Sequence, residues 1–461
     1  MQSRRDHIHA YQFSASRLVH AVTSGDVGVG DIPFRRARFG TLLGVAATVL
    51  LCGGSAVYGL ISPVPNTAWR TPGSVVVDAD TGTRYLVVGT TLRPTANYTS
   101  ARLLAGATAK VQVVAHKLLA AMPVGPVIGI AGAPATLPAP TALLAGKWAL
   151  CVRPGDDHKT VLDLSPDTDG TPAPVQRRML VAEAADGTGR TPEYVVWDGV
   201  KFPVPDVATL TALGMGDVAA LPVNDQWLAA VPTGPALSAA AVPGAGTPGP
   251  RIGGKDSKVG QVFLVTAAGV EQYYVLRTDG LAPVSRTEAA LLSLTAPPEP
   301  VTPADVAATA ASPDSSLLHR LPDVLSGDVY RTEGRALCAV QTSPTPPADG
   351  GPATDPPAPG GIVVESAAAL MTGPDVLVPA GQGMLVQPPG DAANPLAGQL
   401  PTYLIAGGGL RYQVVGTGAA GALGFSGLVP HTVPTQLLAL SPAGPDLSVA
   451  AAQRDVPWGS G

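Results

Sequence analysis

The residues of this chain able to do chemistry are few and far apart. Gly249-Pro-Arg-Ile-Gly-Gly254-Lys255-Asp256 comes nearest to a phosphate loop, because it fits the spacing GxxxxGK. Such a loop works when a strand precedes it and a helix follows, so that backbone N–H groups converge on phosphate and a Ser or Thr holds magnesium. Here a Pro/Gly-rich join precedes, an apolar strand-like run follows, and Asp256 stands where the hydroxyl belongs. A turn is expected, with no ATP or other cofactor held by Gly249, Gly254 and Lys255. Asp156-Asp157-His158 and Asp167-Thr-Asp169-Gly170 offer hard oxygen ligands. No Glu follows at the EF-hand distance and no second histidine sits one helical turn away, so solvated acids are expected there and no metal. His116, His158, His319 and His431 are scattered, no GxSxG elbow occurs, and neither Cys151 nor Cys338 has a convincing histidine partner, so no catalytic set is expected. Trp148, Trp197, Trp227 and Tyr273 carry rings that a sugar-binding surface uses, but core packing is their commoner role.

Cys151 and Cys338 invite oxidation instead. Each ends a short apolar run, Trp148-Ala-Leu-Cys151 and Arg335-Ala-Leu-Cys338. A bridge between them closes a loop of about 190 residues, worth ~5 kcal/mol in the chain-entropy model. A disulfide is the reading preferred; two free buried thiols are the alternative.

The element that must position everything else is the run from Phe39 to Ile61. It has no charge and no proline. At ~1.5 Å per residue it is long enough, as a helix, to cross a ~30 Å hydrocarbon layer. The 38 residues before it argue against a signal peptide. Cys52 lies inside the run as a small filler. Arg35, Arg36 and Arg38 precede the run and the next basic residue is Arg70, so positive charge puts residues 1–38 in the cytoplasm and the rest outside. There disulfides persist. Within the arm, Ile8, Tyr11, Ala15, Leu18 and Val22 recur at helical spacing beside Arg4, Arg5 and Arg17. The arm reads either as an amphipathic helix on the inner leaflet or as a helix docking a cytoplasmic partner through Arg4, Arg5, Tyr11, Phe13 and Arg17.

Beyond the run, 54 Gly and 48 Pro favour short strands and turns, and a net charge of −5 argues against nucleic acid as a partner. Tyr85–Leu104 and Tyr274–Leu292 match without gaps at Tyr85/Tyr274, Leu92/Leu281, Pro94/Pro283, Ala101/Ala290 and Leu103/Leu292. Leu228–Ser238 likewise echoes Leu438–Ser448. The expected architecture is a single transmembrane helix plus an elongated α+β extracytoplasmic domain, a central β-core with four β-β-α repeats. The expected divisions are a cytoplasmic arm 1–38, the helix 39–61, a linker 62–73, the domain 74–450 and a flexible tail 451–461. Repeats are placed near 74–125, 176–238, 259–295 and 399–448, and core strands around 145–155 and 334–342.

Arg4-Arg5-Asp6-His7-Ile8-His9-Ala10-Tyr11-Gln12-Phe13, then Arg17-Leu18, Gly25-Asp26 and Pro33-Phe34-Arg35-Arg36, resemble the N-terminus of the EccB family. Thr99-Ser-Ala-Arg-Leu-Leu104, Gly129-Ile-Ala-Gly-Ala-Pro134, Val259-Gly-Gln-Val-Phe263 and Gln272-Tyr-Tyr-Val-Leu276 are similar to it as well. EccB is a membrane component of the type VII (ESX) secretion system of actinobacteria. The resemblance implies a structural and assembly subunit of the secretion complex in the inner membrane, joined with EccC, EccD and EccE. It implies a periplasmic part that dimerises within a hexameric complex, and an arm that meets EccC and EccD. Its repeats would be similar to a phage-lysin cell-wall-binding module, which keeps peptidoglycan open as a partner. Family members also carry an ATPase label. The alternative function is therefore a cell-wall-binding or ATP-hydrolysing subunit of the same machinery.

Overall fold

The computed structural model describes residues 4–24, 34–61, 67–154, 159–166, 173–174, 178–184, 193–332, 334–344, 357–365, 368–390, 400–416 and 418–456. The chain divides into two units, Met1–Ala68 and Trp69–Gly461.

In the first unit, the periodic arm forms the helix Arg4–Ser24, and the apolar run lies within a second helix, Phe34–Ile61. Among the described residues, however, no helix is long and apolar enough to cross a membrane. The expected single transmembrane helix is corrected accordingly. Gly40, Gly44, Gly53 and Gly54, with Thr41, Thr48 and Ser55, interrupt the apolar residues of that helix.

In the second unit, four small sheets share one topology. In the first, Val75–Asp78, Arg84–Val88 and Thr91–Pro94 run antiparallel in succession, and Val111–Val114 returns parallel to the first strand. The helix Tyr98–Ala105 makes that crossover and His116–Leu119 follows it. The second repeat has strands at Arg178–Ala184, Glu193–Trp197, Val200–Val204 and Leu221–Val223. The third has Val262–Ala267, Val270–Arg277, Gly280–Val284 and Glu299–Val301; the fourth has Gly383–Gln387, Thr402–Ala406, Arg411–Val414 and His431–Thr432. The unit is therefore β-β-β-α-β-α rather than β-β-α. The added third strand carries a proline, and Pro94, Pro203 and Pro283 each face a tyrosine, Tyr85, Tyr194 and Tyr274. The fourth repeat starts at Gly383, not near 399.

Side-chain caps start three of the crossover helices. Asn97, Asp206 and Ser285 accept from the N–H three residues on, each such cap being worth about 1 kcal/mol. After the second helix of every repeat the chain bridges back to the third strand, at Leu92/Val124, Lys201/Thr233, Leu281/Ala311 and Arg411/Ala443. Three of these returns read Pro-x-Gly-Pro: Pro123–Pro126, Pro232–Pro235 and Pro442–Pro445. A Cβ on Gly234 would lie 2.3 Å from the Phe202 ring, and one on Gly444 2.5 Å from the Tyr412 ring. In the third repeat the facing residue is Ala282, and the return carries Ser312 instead.

The repeats pair around a central six-stranded sheet whose middle strands are Lys147–Val152 and Ala336–Thr342. Leu103 of the first repeat shares a core with Leu385, Leu404 and Leu423 of the fourth. Leu291 of the third shares one with Leu210, Leu213 and Met215 of the second. The N-terminal and C-terminal halves of this unit also bond directly to each other. Leu144 N–H donates to Gly383 O at 2.8 Å in the fourth repeat, and Asp328–Val329 pairs with the first strand of the second. The tail expected to be flexible is tied down as far as Val456: Gly129 N–H donates to Arg454 O, and Val456 N–H to Val127 O.

Candidate functional site: a clamped core and its capped edges

The central sheet alternates cleanly between two faces. Trp148, Leu150, Val152, Leu337 and Ala339 enter the large core. Ala149, Cys151, Val161, Ala336, Cys338 and Val340 point the other way, under Leu370. Cys151 and Cys338 stand directly opposite in the antiparallel ladder with Cα atoms 3.9 Å apart. They form a disulfide across a sequence separation of 187 residues. Arg153, just past the cysteine strand, donates to Leu370 O at 2.9 Å and Gly373 O at 2.8 Å, pinning the helix that covers the bridge.

Two cations, Lys201 buried and Arg411 half-buried, were not read from the sequence. Lys201 Nζ donates to Leu228 O at 2.5 Å and Val231 O at 2.6 Å. Arg411, at the equivalent place in the fourth repeat, donates to Leu438 O and Ser441 O. Both satisfy carbonyls at a helix C-terminus, where the helix dipole favours positive charge. Burial pushes the Lys201 ammonium below its ordinary range. The signal was available. Lys201-Phe202 and Arg411-Tyr412 occupy matching positions, and Leu92 and Leu281 replace the cation in the other two repeats.

Two acid–base pairs brace the third and first repeats. Glu288 is fully buried and accepts from Arg320 at 2.9 Å through both carboxylate oxygens. Burial raises its carboxyl despite that guanidinium. In the first repeat, His116 Nδ1 lies 2.7 Å from Oδ2 of the buried Asp78. The hydrogen bond from His116 holds Asp78 at about 2, and the same carboxylate raises His116.

The sequence-singled residues fall in separate places. Gly253 and Gly254 have φ of +59° and +76°, and Ile252 and Lys255 exchange both backbone hydrogen bonds around them. That is a two-residue hairpin of the type that demands left-handed glycines, and it engages the N–H groups of Ile252 and Lys255. Gly249 packs against Leu276, and Lys255 pairs with Glu299. Trp148 and Trp227 are fully buried and Trp197 nearly so; they are core rather than a sugar surface. Arg4, Arg5, Tyr11, Phe13 and Arg17 are exposed on the first helix, with the Arg17 guanidinium 5.9 Å from the Phe13 ring. Arg35, Arg36 and Arg38 lie in the helix Phe34–Ile61. Asp156, Asp157, His158, Asp167 and Asp169 lie outside the described residues. Among the described residues no cluster of His, Cys, Asp or Glu could hold a metal.

The arrangement braces and presents surfaces, and comparison with known proteins agrees with that character. The family model described as type VII secretion system ESX-1, transport TM domain B, matches residues 1–456. The chain belongs to this family, EccB. As an EccB-family member it is a structural subunit of the type VII secretion membrane complex. It is 28% identical to the ESX-1 secretion system ATPase EccB1 of Mycolicibacterium smegmatis over 469 residues, 96% of this chain and 93% of that protein. To the ESX-3 secretion system ATPase EccB3 of the same species it is 29% identical over 483 residues, 97% and 90% of the two chains. The EccB3 dimer structure from the ESX-3 core complex superposes with a TM-score of 0.57 at 26% identity, covering 83% of this chain and all of that one. A chain of an intact ESX-5 inner membrane complex shares the fold with a TM-score of 0.59 at 23% identity, over 99% of this chain and 96% of that one.

Proposed function

We propose that this EccB-family chain is the brace of its secretion complex. Trp69–Gly461 is the periplasmic scaffold, and residues 1–38 are cytoplasmic, where the helix Arg4–Ser24 docks the secretion ATPase. The observation that carries the reading is the family match from residue 1 to 456, arm and scaffold together. Exposed Tyr11 and Phe13, 77% and 58% accessible, give the arm apolar anchors among its arginines, which suits a helix-in-groove contact. EccC-, EccD- and EccE-type subunits are the proposed partners, with a second copy of this chain pairing through the scaffold inside a hexameric assembly. The relatives' ATPase label is not carried over to Gly249–Lys255, where Ile252 and Lys255 close a tight hairpin. Deleting residues 4–23 should leave the protein in the membrane fraction while the ATPase subunit no longer co-purifies. Normal recovery of that subunit with the deleted chain would refute the role given to the arm.

A further inference from the structure

The four repeats end on four equivalent edge strands, and three of these are closed from within the chain. In the second repeat, Leu221 and Val223 pack into the central core, and Pro222 lies between them. In the third, Glu299 pairs with Lys255 of the glycine hairpin, and the strand carries Pro300. In the fourth, the Ser343 hydroxyl donates to Thr432 O at 3.0 Å, and Gly146 abuts the His431 ring. Among the described residues the first repeat's Val111–Val114 has no such cover: it ends its sheet, with Val111 44% and Val113 72% exposed. An open apolar edge is what soluble proteins blunt with proline, charge or a covering loop.

Register fixes which groups face outward. Counting from the tyrosine on each second strand, Val113 matches Pro222 and Pro300. Those prolines pair in parallel ladders without an N–H, so at this position the ladder needs none. The N–H of Val113 therefore points to the free side.

Charge narrows the occupant. Between Trp69 and Gly125 the first repeat carries Arg70, Arg84, Arg93, Arg102, Lys110 and Lys117 against only Asp78 and Asp80, in a chain whose net charge is −5. Lys110 and Lys117 flank the open strand and are exposed. A second copy of the same edge would set those lysines against their own kind.

We infer that the Val111–Val114 edge takes up an extended, acidic segment of another polypeptide as an added strand, its main chain bonding to the free side and its carboxylates meeting Lys110 and Lys117. The probe is a labelled, end-capped Asp-Val-Thr-Val-Glu peptide, titrated by fluorescence anisotropy against the full-length chain in detergent. It should bind saturably and about tenfold more tightly than a Lys-Val-Thr-Val-Lys peptide. Val113→Pro, which copies the second and third repeats, should keep the thermal melt and weaken the acidic peptide about tenfold, one backbone hydrogen bond being lost. Lys110→Glu with Lys117→Glu, at exposed positions, should reverse the preference. Equal binding of both peptides, binding of neither, or affinity unmoved by Val113→Pro would overturn the inference. So would a Val113→Pro change that alters only the oligomeric state, which would give the edge to a second copy.

Discussion

At the scale of single residues, the scaffold is held by polar groups placed where carbonyls or carboxylates would otherwise be stranded. Lys201 and Arg411 close helix ends, Arg153 closes the helix over the disulfide, and Arg320 neutralises Glu288. The Asp78–His116 pair makes the first repeat sensitive to pH. Asp78, depressed from 3.8 to about 2, contributes stability above 3.8 and loses it as pH falls toward 2. His116, raised above 6.5, contributes below 6.5 and loses that contribution as pH rises through its shifted value. The pair therefore supports the fold most from about pH 4 to 6.5. Thermal unfolding followed from pH 3 to 9 should show a shallow maximum in that window, and His116→Gln should flatten it. A variant that keeps the maximum would assign it elsewhere.

At the scale of elements, each repeat is a small sheet whose last segment returns to its third strand, and in the second and fourth repeats it does so through a glycine that leaves room for a ring. Gly444→Ser should cost about 1–3 kcal/mol by overpacking Tyr412. Combined with Tyr412→Ala it should cost less than the sum of the two single changes, because Ala282 and Ser312 already coexist in the third repeat. Chemical denaturation of the single and double variants measures the coupling, and strictly additive losses would contradict it. Some of these elements could be read beforehand. The tyrosine-led second strands and the Asn97 and Ser285 caps have clear local signals, and both cysteines sit in apolar runs. The third strands could not, because Pro94, Pro203 and Pro283 mimic loops; only their tyrosine partners reveal them as strands. Gly383–Gln387 was missed because a long join, rather than a tight turn, separates it from the strand it pairs with. The glycine hairpin looked like chemistry because a phosphate loop and a tight hairpin both need glycines, and only the direction of the N–H groups tells them apart.

At the scale of the whole molecule, the N-terminal and C-terminal halves of the second unit bond to each other and are joined at the central sheet by a disulfide. Replacing both Cys151 and Cys338 by serine should lower stability by up to ~5 kcal/mol, read as a drop in denaturant midpoint that reducing agent reproduces in the unaltered protein. An unchanged midpoint would make the clamp dispensable. The family match spans arm and scaffold alike, so the account stands or falls on assembly rather than turnover. The most direct measurement is affinity purification of the full-length chain from native membranes, with mass spectrometry of what accompanies it. The account predicts the other type VII membrane subunits, the secretion ATPase among them, in stable proportion. Recovery of the chain alone under conditions that keep the complex intact would contradict it.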